Sequence, residues 1–195
     1  MVRIVLLLLA LAPSAFGQAF TFFDVAFMGK LATASSGGGA PAGTAYITAF
    51  TPGTARNNYT GSVGYFVDAA TSFTVTALGR YKIAGNTHTI TVRLRSWDDC
   101  SVLASVSLDM STGTDGQFLY ATITPVVIPE YYPGTTGLCI ESSETSGGDQ
   151  FYDTDTVVTS TSGAMTLSAS SIDCVSNPSS ANHAYGPVNF KYTVP

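Results

Sequence analysis

A chain of 195 residues with 13 acidic and 8 basic side chains carries a formal charge of −5, and only 11% of it is charged, against roughly a quarter in an average globular protein. That balance lacks the basic footprint of a nucleic-acid or anionic-lipid binder and leaves a surface made of hydroxyls and amides. The length suits one domain able to bury a sizeable core.

Arg3 precedes an apolar run, Ile4 to Ala12, far short of the about 20 apolar residues that cross a bilayer. Ala15 and Gly17 then supply the small residues that a signal peptidase reads. The expectation is a signal peptide over residues 1–17, a mature chain from Gln18, secretion, and no membrane insertion of the mature form. An oxidising compartment favours pairing two of Cys100, Cys139 and Cys174. None of them sits in a Cys-x-x-Cys or Cys/His cluster, and His88 and His183 stand apart, so zinc or thiol redox chemistry finds little support.

The Phe-rich segment Ala19 to Met28 reads as a first strand, and the Gly-rich run Ser35 to Pro41 as a loop inside the same domain, so that residues 18–42 form an N-terminal strand and loop. Gly43 to Phe50, Gly61 to Val67 and Phe73 to Ile83 follow as strands, and Gly85-Asn86 marks a turn. From His88 to Arg95 the alternation is clearest, with Ile90, Val92 and Leu94 on one face and Thr89, Thr91, Arg93 and Arg95 on the other. Val102 to Met110 repeats the period of two, Gln117 to Thr124 follows a turn cluster, and Leu138 with Ile140 opens a strand that runs into an acidic stretch. Val157 to Thr161 and Met165 to Ile172 read as a hairpin around Ser162-Gly163, and Val188 to Val194 as a closing strand. No window sustains a helical period, so the fold class is all-β. A two-sheet antiparallel β-sandwich, jelly-roll or immunoglobulin-like, is favoured over a closed barrel because several strands alternate while others are apolar on both sides.

Arg56-Asn57-Asn58-Tyr59-Thr60-Gly61-Ser62-Val63-Gly64, Thr76-Ala77-Leu78-Gly79-Arg80-Tyr81, Ser143 through Asp153 and Tyr185-Gly186-Pro187-Val188-Asn189-Phe190 carry a resemblance. From about Gly43 to the C-terminus the chain resembles a group of secreted, mostly bacterial β-sandwich domains of uncharacterised function, similar in architecture to carbohydrate-binding modules. Trp commonly stands there where Phe151 stands here, and cysteines are not typical. The resemblance implies an extracellular sandwich.

Glu141 to Asp155 gathers Glu141, Glu144, Asp149, Asp153 and Asp155, five of the 13 acids, and threads Phe151 and Tyr152 between them. Aromatic rings beside amides and carboxylates describe a sugar site, in which a ring covers the sugar face and polar groups fix its hydroxyls. Asp149, Gln150, Phe151, Tyr152, Asp153, Arg56 and Asn58 are the candidate ligand-binding residues. The competing expectation is that Phe151 enters the core and the aspartates tie down a long loop. Calcium takes about six to eight oxygens, which makes Glu144, Asp149, Asp153 and Asp155 its candidate ligands, although no EF-hand spacing is present. Arg56, forked onto an acid of the stretch, is the alternative cationic partner.

Asn58-Tyr59-Thr60 is an N-glycosylation sequon, and Trp97, the single tryptophan, lies in a connection as a second candidate contact. Glu141 with Glu144, or Asp149 with Asp153, are pairs that in principle suit a glycosidase, and no activated nucleophile stands out. The expectation is therefore a non-catalytic protein without an obligatory cofactor, adhesive or glycan-binding, with a polysaccharide or surface glycan as partner and self-association open. A structural role at a cell surface or in a matrix, with no small ligand, is the alternative. If successive strands ran up and down as a meander, Cys100 and Cys139 would share one end, Cys174 would fall at the other, and Cys100–Cys139 would be the disulfide.

Overall fold

The computed structural model describes residues 40–130, 137–163, 165–177 and 182–195, with the side chains of 176 and 177 left aside. The expected signal peptide and nearly all of the N-terminal strand and loop lie outside the described residues.

Fourteen strands occur among the described residues, in the order β1 Thr44–Ala45, β2 Ile47–Thr51, β3 Ala55–Arg56, β4 Gly61–Ala69, β5 Phe73–Tyr81, β6 Thr89–Ser96, β7 Val102–Asp109, β8 Phe118–Ile128, β9 Gly137–Glu144, β10 Phe151–Tyr152, β11 Val157–Thr161, β12 Met165–Ile172, β13 Val175–Asn177 and β14 Val188–Thr193. The fold is all-β, and every pairing is antiparallel. A four-stranded sheet runs β1-β14-β5-β8, a six-stranded sheet runs β13-β12-β4-β9-β6-β7, and two short ribbons pair β10 with β3 and β11 with β2. One 3-10 turn, Met110–Thr112, follows β7 and is opened by the Asp109 carboxylate, which accepts from the Ser111 N–H.

Neighbours in these sheets are mostly distant in sequence, so the meander expectation does not hold. After β4 the chain passes to the other sheet for β5, returns for the β6–β7 hairpin, crosses again for β8 and comes back for β9. The expected hairpin of β11 and β12 is absent as well, because β11 pairs with β2 and β12 with β4. A strand with two apolar faces needs a neighbour above and below it, and those neighbours come from remote parts of the chain.

The period of two decides what enters the core. On β9, Leu138 and Ile140 face the cluster formed with Tyr65 and Val67 of β4 and Val92 and Leu94 of β6. Leu78 of β5, Ile123 of β8 and Phe190 of β14 belong to the same cluster, so the two large sheets share one core. Burial of each such side chain is worth about 1.5–3 kcal/mol. The alternate residues of β9, Cys139 and Glu141, turn to the opposite face of the six-stranded sheet. There a second, smaller cluster of Phe66, Cys139 and Cys174 is completed by Trp97, Cys100 and Ala169.

Candidate functional site

The acidic stretch does not act as one acidic patch, because each carboxylate is turned to a different partner. Glu144 lies on the inward face of β9 and accepts two hydrogen bonds from Arg80 Nη2 of β5, at 3.0 and 2.9 Å, with both side chains 1% exposed. The Ser142 hydroxyl adds a bond of 2.6 Å. Burial pushes the Glu144 carboxyl up, and the Arg80 charge pulls it part of the way back. Glu141, an odd number of residues away, points outward instead. It accepts from the Ser171 hydroxyl at 2.7 Å and from the Cys174 N–H, with Arg95 Nε at 3.4 Å from its other oxygen.

Beyond β9 the loop folds back on the turn at Gly85-Asn86. Asp149, 2% exposed, accepts from the Thr87 N–H at 2.9 Å and the His88 N–H at 3.1 Å, and sits 2.7 Å from His88 Nδ1. Its burial alone would raise its pKa, but the imidazole and the two backbone N–H groups more than offset that and hold it below the usual carboxylate range. Gln150 is clamped through its backbone: its N–H donates to Asn86 Oδ1 at 2.9 Å, and its carbonyl accepts from Asn86 Nδ2 at 2.8 Å and Arg80 Nη2 at 3.0 Å. The Gln150 side chain remains exposed.

Phe151 enters a buried cluster with Val63 and Tyr185, so of the two expectations for this ring the core is the one the structure supports. Asp153 pairs with Arg56 Nη1, and Arg56 Nε donates to Asn58 Oδ1 at 3.0 Å; β3 and β10 place Arg56 opposite Phe151. The contact is single, not the expected fork. Asp155 accepts from the Thr54 N–H at 2.8 Å and the Thr54 hydroxyl at 2.6 Å, which lowers its pKa.

Glu144, Asp149, Asp153 and Asp155, the residues named for calcium, thus belong to four separate contacts, and among the described residues no group of three or more His, Cys, Asp or Glu could hold a metal ion. Glu141 and Glu144 cannot act as one carboxylate pair across a substrate, since they lie on opposite faces of β9. The expected Cys100–Cys139 bridge is not formed: all three cysteines are free thiols, and Cys174 lies with the other two because the β12–β13 hairpin folds beside β4 and β9.

Tyr152 is the aromatic of the stretch that stays half-buried, and it leads to a feature that the sequence did not single out. Its ring lies 6.4 Å from Phe50 and 6.2 Å from Tyr81; Phe50 meets Tyr81 at 4.9 Å and Phe118 at 6.0 Å, and Phe118 meets Tyr120 at 5.8 Å. All five rings are partly exposed. Tyr81 and Phe118 are register partners, as are Gly79 and Tyr120, so these residues share the face of β5 and β8 opposite to Leu78. Gly79 is required there, since a Cβ would stand 2.4 Å from the Tyr120 ring. Asn189 Nδ2 donates to the Tyr120 hydroxyl at 2.8 Å, and Lys191 Nζ lies 5.0 Å over its ring. Outward positions at 79, 81, 118 and 120 follow from alternation. That two strands this far apart in sequence are paired does not.

A concavity of about 310 Å³ lies beside the loop, lined by His88, Thr89, Ser143, Ser146, Gly148 and Asp149 among others. His88 Nδ1 is engaged by Asp149, so any other contact of the ring is made through Nε2. The Ser143 hydroxyl accepts from the Thr91 N–H at 3.1 Å. Trp97 is half-buried over Phe66, with ring centroids 4.6 Å apart, and covers Gly137.

No protein-family model, curated protein or solved structure matches this chain.

Proposed function

We propose that the chain is a secreted, non-catalytic β-sandwich of jelly-roll connectivity that binds glycan, or adheres through it, with the aromatic face of the four-stranded sheet as its contact surface. The jelly-roll reading rests on the strand orders β1-β14-β5-β8 and β4-β9-β6-β7, in which the chain alternates between sheets around one core. The observation that carries the function is the run of five partly exposed rings, Phe50, Tyr81, Phe118, Tyr120 and Tyr152. Sugar rings carry apolar C–H faces that stack on aromatic planes, while edge hydroxyls and a nearby ammonium satisfy the sugar's polar rim. Tyr120, Tyr152 and Lys191 supply that chemistry here.

Asp149, Gln150 and Asp153 support the surface from behind by fixing the loop that carries Tyr152. Calcium is not needed for that order, since Arg56, Arg80 and backbone N–H groups already neutralise or satisfy these oxygens. A panel of immobilised polysaccharides and a glycan array, probed with the protein in calcium and in chelator, tests the reading. Retention on at least one glycan, equal in both buffers, is expected; absence of retention on every glycan contradicts it.

A further inference from the structure

We propose that Cys174 is the shared partner of a three-thiol exchange site on the outer face of the six-stranded sheet, entered by a small disulfide such as oxidised glutathione at Cys100. Three separate elements build it. Cys139 is the fully buried outward residue of β9, Cys100 is half-buried in the β6–β7 connection, and Cys174 occupies the turn between β12 and β13. The Cys100 thiol donates to the Cys174 carbonyl at 3.1 Å, and Cys139 and Cys174 belong to one small buried cluster against which Cys100 packs. Phe66, Trp97 and Ala169 wall the sulfurs in.

The backbone holds the central sulfur in place. Asp173 and Cys174 have φ of 51° and 59° in a two-residue hairpin turn, and Cys100 has φ of 57°. Such left-handed conformations are typical of glycine or asparagine and, at other residues, cluster at functional sites. The turn is pinned through the Cys174 N–H to Glu141, the Asp173 N–H to the Ser62 carbonyl at 2.9 Å, and the Ser62 N–H to Asp173 Oδ1 at 2.7 Å. The neighbouring thiols, Cys139 first, lower Cys174 from the ordinary thiol value, whereas Cys100 and Cys139 are themselves raised.

The chemistry balances without a further reactant. Cys100, the more accessible thiol, loses its proton to solvent and attacks a sulfur of the small disulfide, forming a mixed disulfide and releasing one small thiolate. The Cys174 thiolate then attacks the Cys100 sulfur, closing Cys100–Cys174 and releasing the second small thiolate. Two protein thiols are oxidised and one disulfide is reduced to two thiols. Cys139, in contact with Cys174, can attack that sulfur in turn, moving the bond to Cys139–Cys174 and returning Cys100 to the thiol. Every disulfide of the cycle that joins two protein cysteines therefore contains Cys174.

The full chain, reduced and then exposed to oxidised glutathione under native conditions, is alkylated in denaturant and mapped by peptide mass. The expected result is a fall from three alkylatable thiols to one, with Cys174 in every bridge. C139A is expected to reach zero thiols through Cys100–Cys174, and C174A to stop at a glutathione adduct on Cys100. A Cys100–Cys139 bridge in the wild type, retention of all three thiols, or an adduct that never resolves into a bridge overturns the proposal. The wild-type map alone decides if a variant does not fold.

Discussion

Two buried acids set the stakes for single residues. Glu144 and Arg80 sit between the sheets at 1% exposure, with the bond carried by Nη2 and with Arg80 Nε and Nη1 lacking a hydrogen-bond partner among the described residues. Removing one member leaves a buried charge uncompensated, which costs about 3–5 kcal/mol. Glu144→Leu is expected to show that loss in urea unfolding, and the double change Arg80→Met, Glu144→Leu to recover most of it, since both charges then leave together.

Asp149 makes a pH-dependent contribution. Its folded pKa lies below the ordinary value of about 3.9, so the unfolded chain binds the proton first as pH falls. The stabilisation is present above the ordinary value and is lost as pH falls through the lower folded one. Wild-type stability should therefore drop more steeply with acid than that of Asp149→Asn, measured as melting temperature across that window. Equal slopes would show that the bonds from Thr87 and His88 do not depend on the charge.

Elements show where sequence and structure part. Alternation made β6, β7 and β9 legible; in β9 it sets Glu141 and Glu144, three apart, on opposite faces, which removes them as the carboxylate pair suggested by their spacing. The acidic stretch is tied to the Gly85-Asn86 turn through Asn86 and Gln150. What stayed hidden was strand order. Counting strands as a meander placed Cys174 away from Cys139, whereas β12 lies beside β4 and brings its turn over β9. The partners of Glu144 and Asp149 likewise arrive from β5 and from the end of the β5–β6 connection, at separations that no local pattern encodes.

Glycine positions test the element packing. At Gly64 a Cβ would stand 1.8 Å from the Ile140 carbonyl, which is backbone and cannot swing away. At Gly79 the obstacles are the Tyr120 ring at 2.4 Å, a side chain that can rotate, and the Leu119 carbonyl at 2.8 Å, which meets the Cβ far less closely than the Ile140 carbonyl does at Gly64. Gly64→Ala should therefore cost more than the about 1–3 kcal/mol typical of overpacking, and Gly79→Ala less than Gly64→Ala, with Tyr120 displaced from the aromatic face. Denaturant midpoints of the two variants check the order, and a reversed order would contradict the register of β4 with β9.

At the scale of the whole molecule, an 11% charged chain spends its few ionic contacts on fixing loops and joining sheets, and leaves its outer aromatic rings partly exposed. The most direct measurement is retention of wild type and of the Tyr81→Ala, Tyr152→Ala double variant on the glycan that the array selects, with circular dichroism confirming that both are folded. Each stacked ring is worth about 0.5–1.5 kcal/mol beyond the area it buries, so two together predict a loss of roughly tenfold or more. Retention of the folded double variant at wild-type strength would contradict the account.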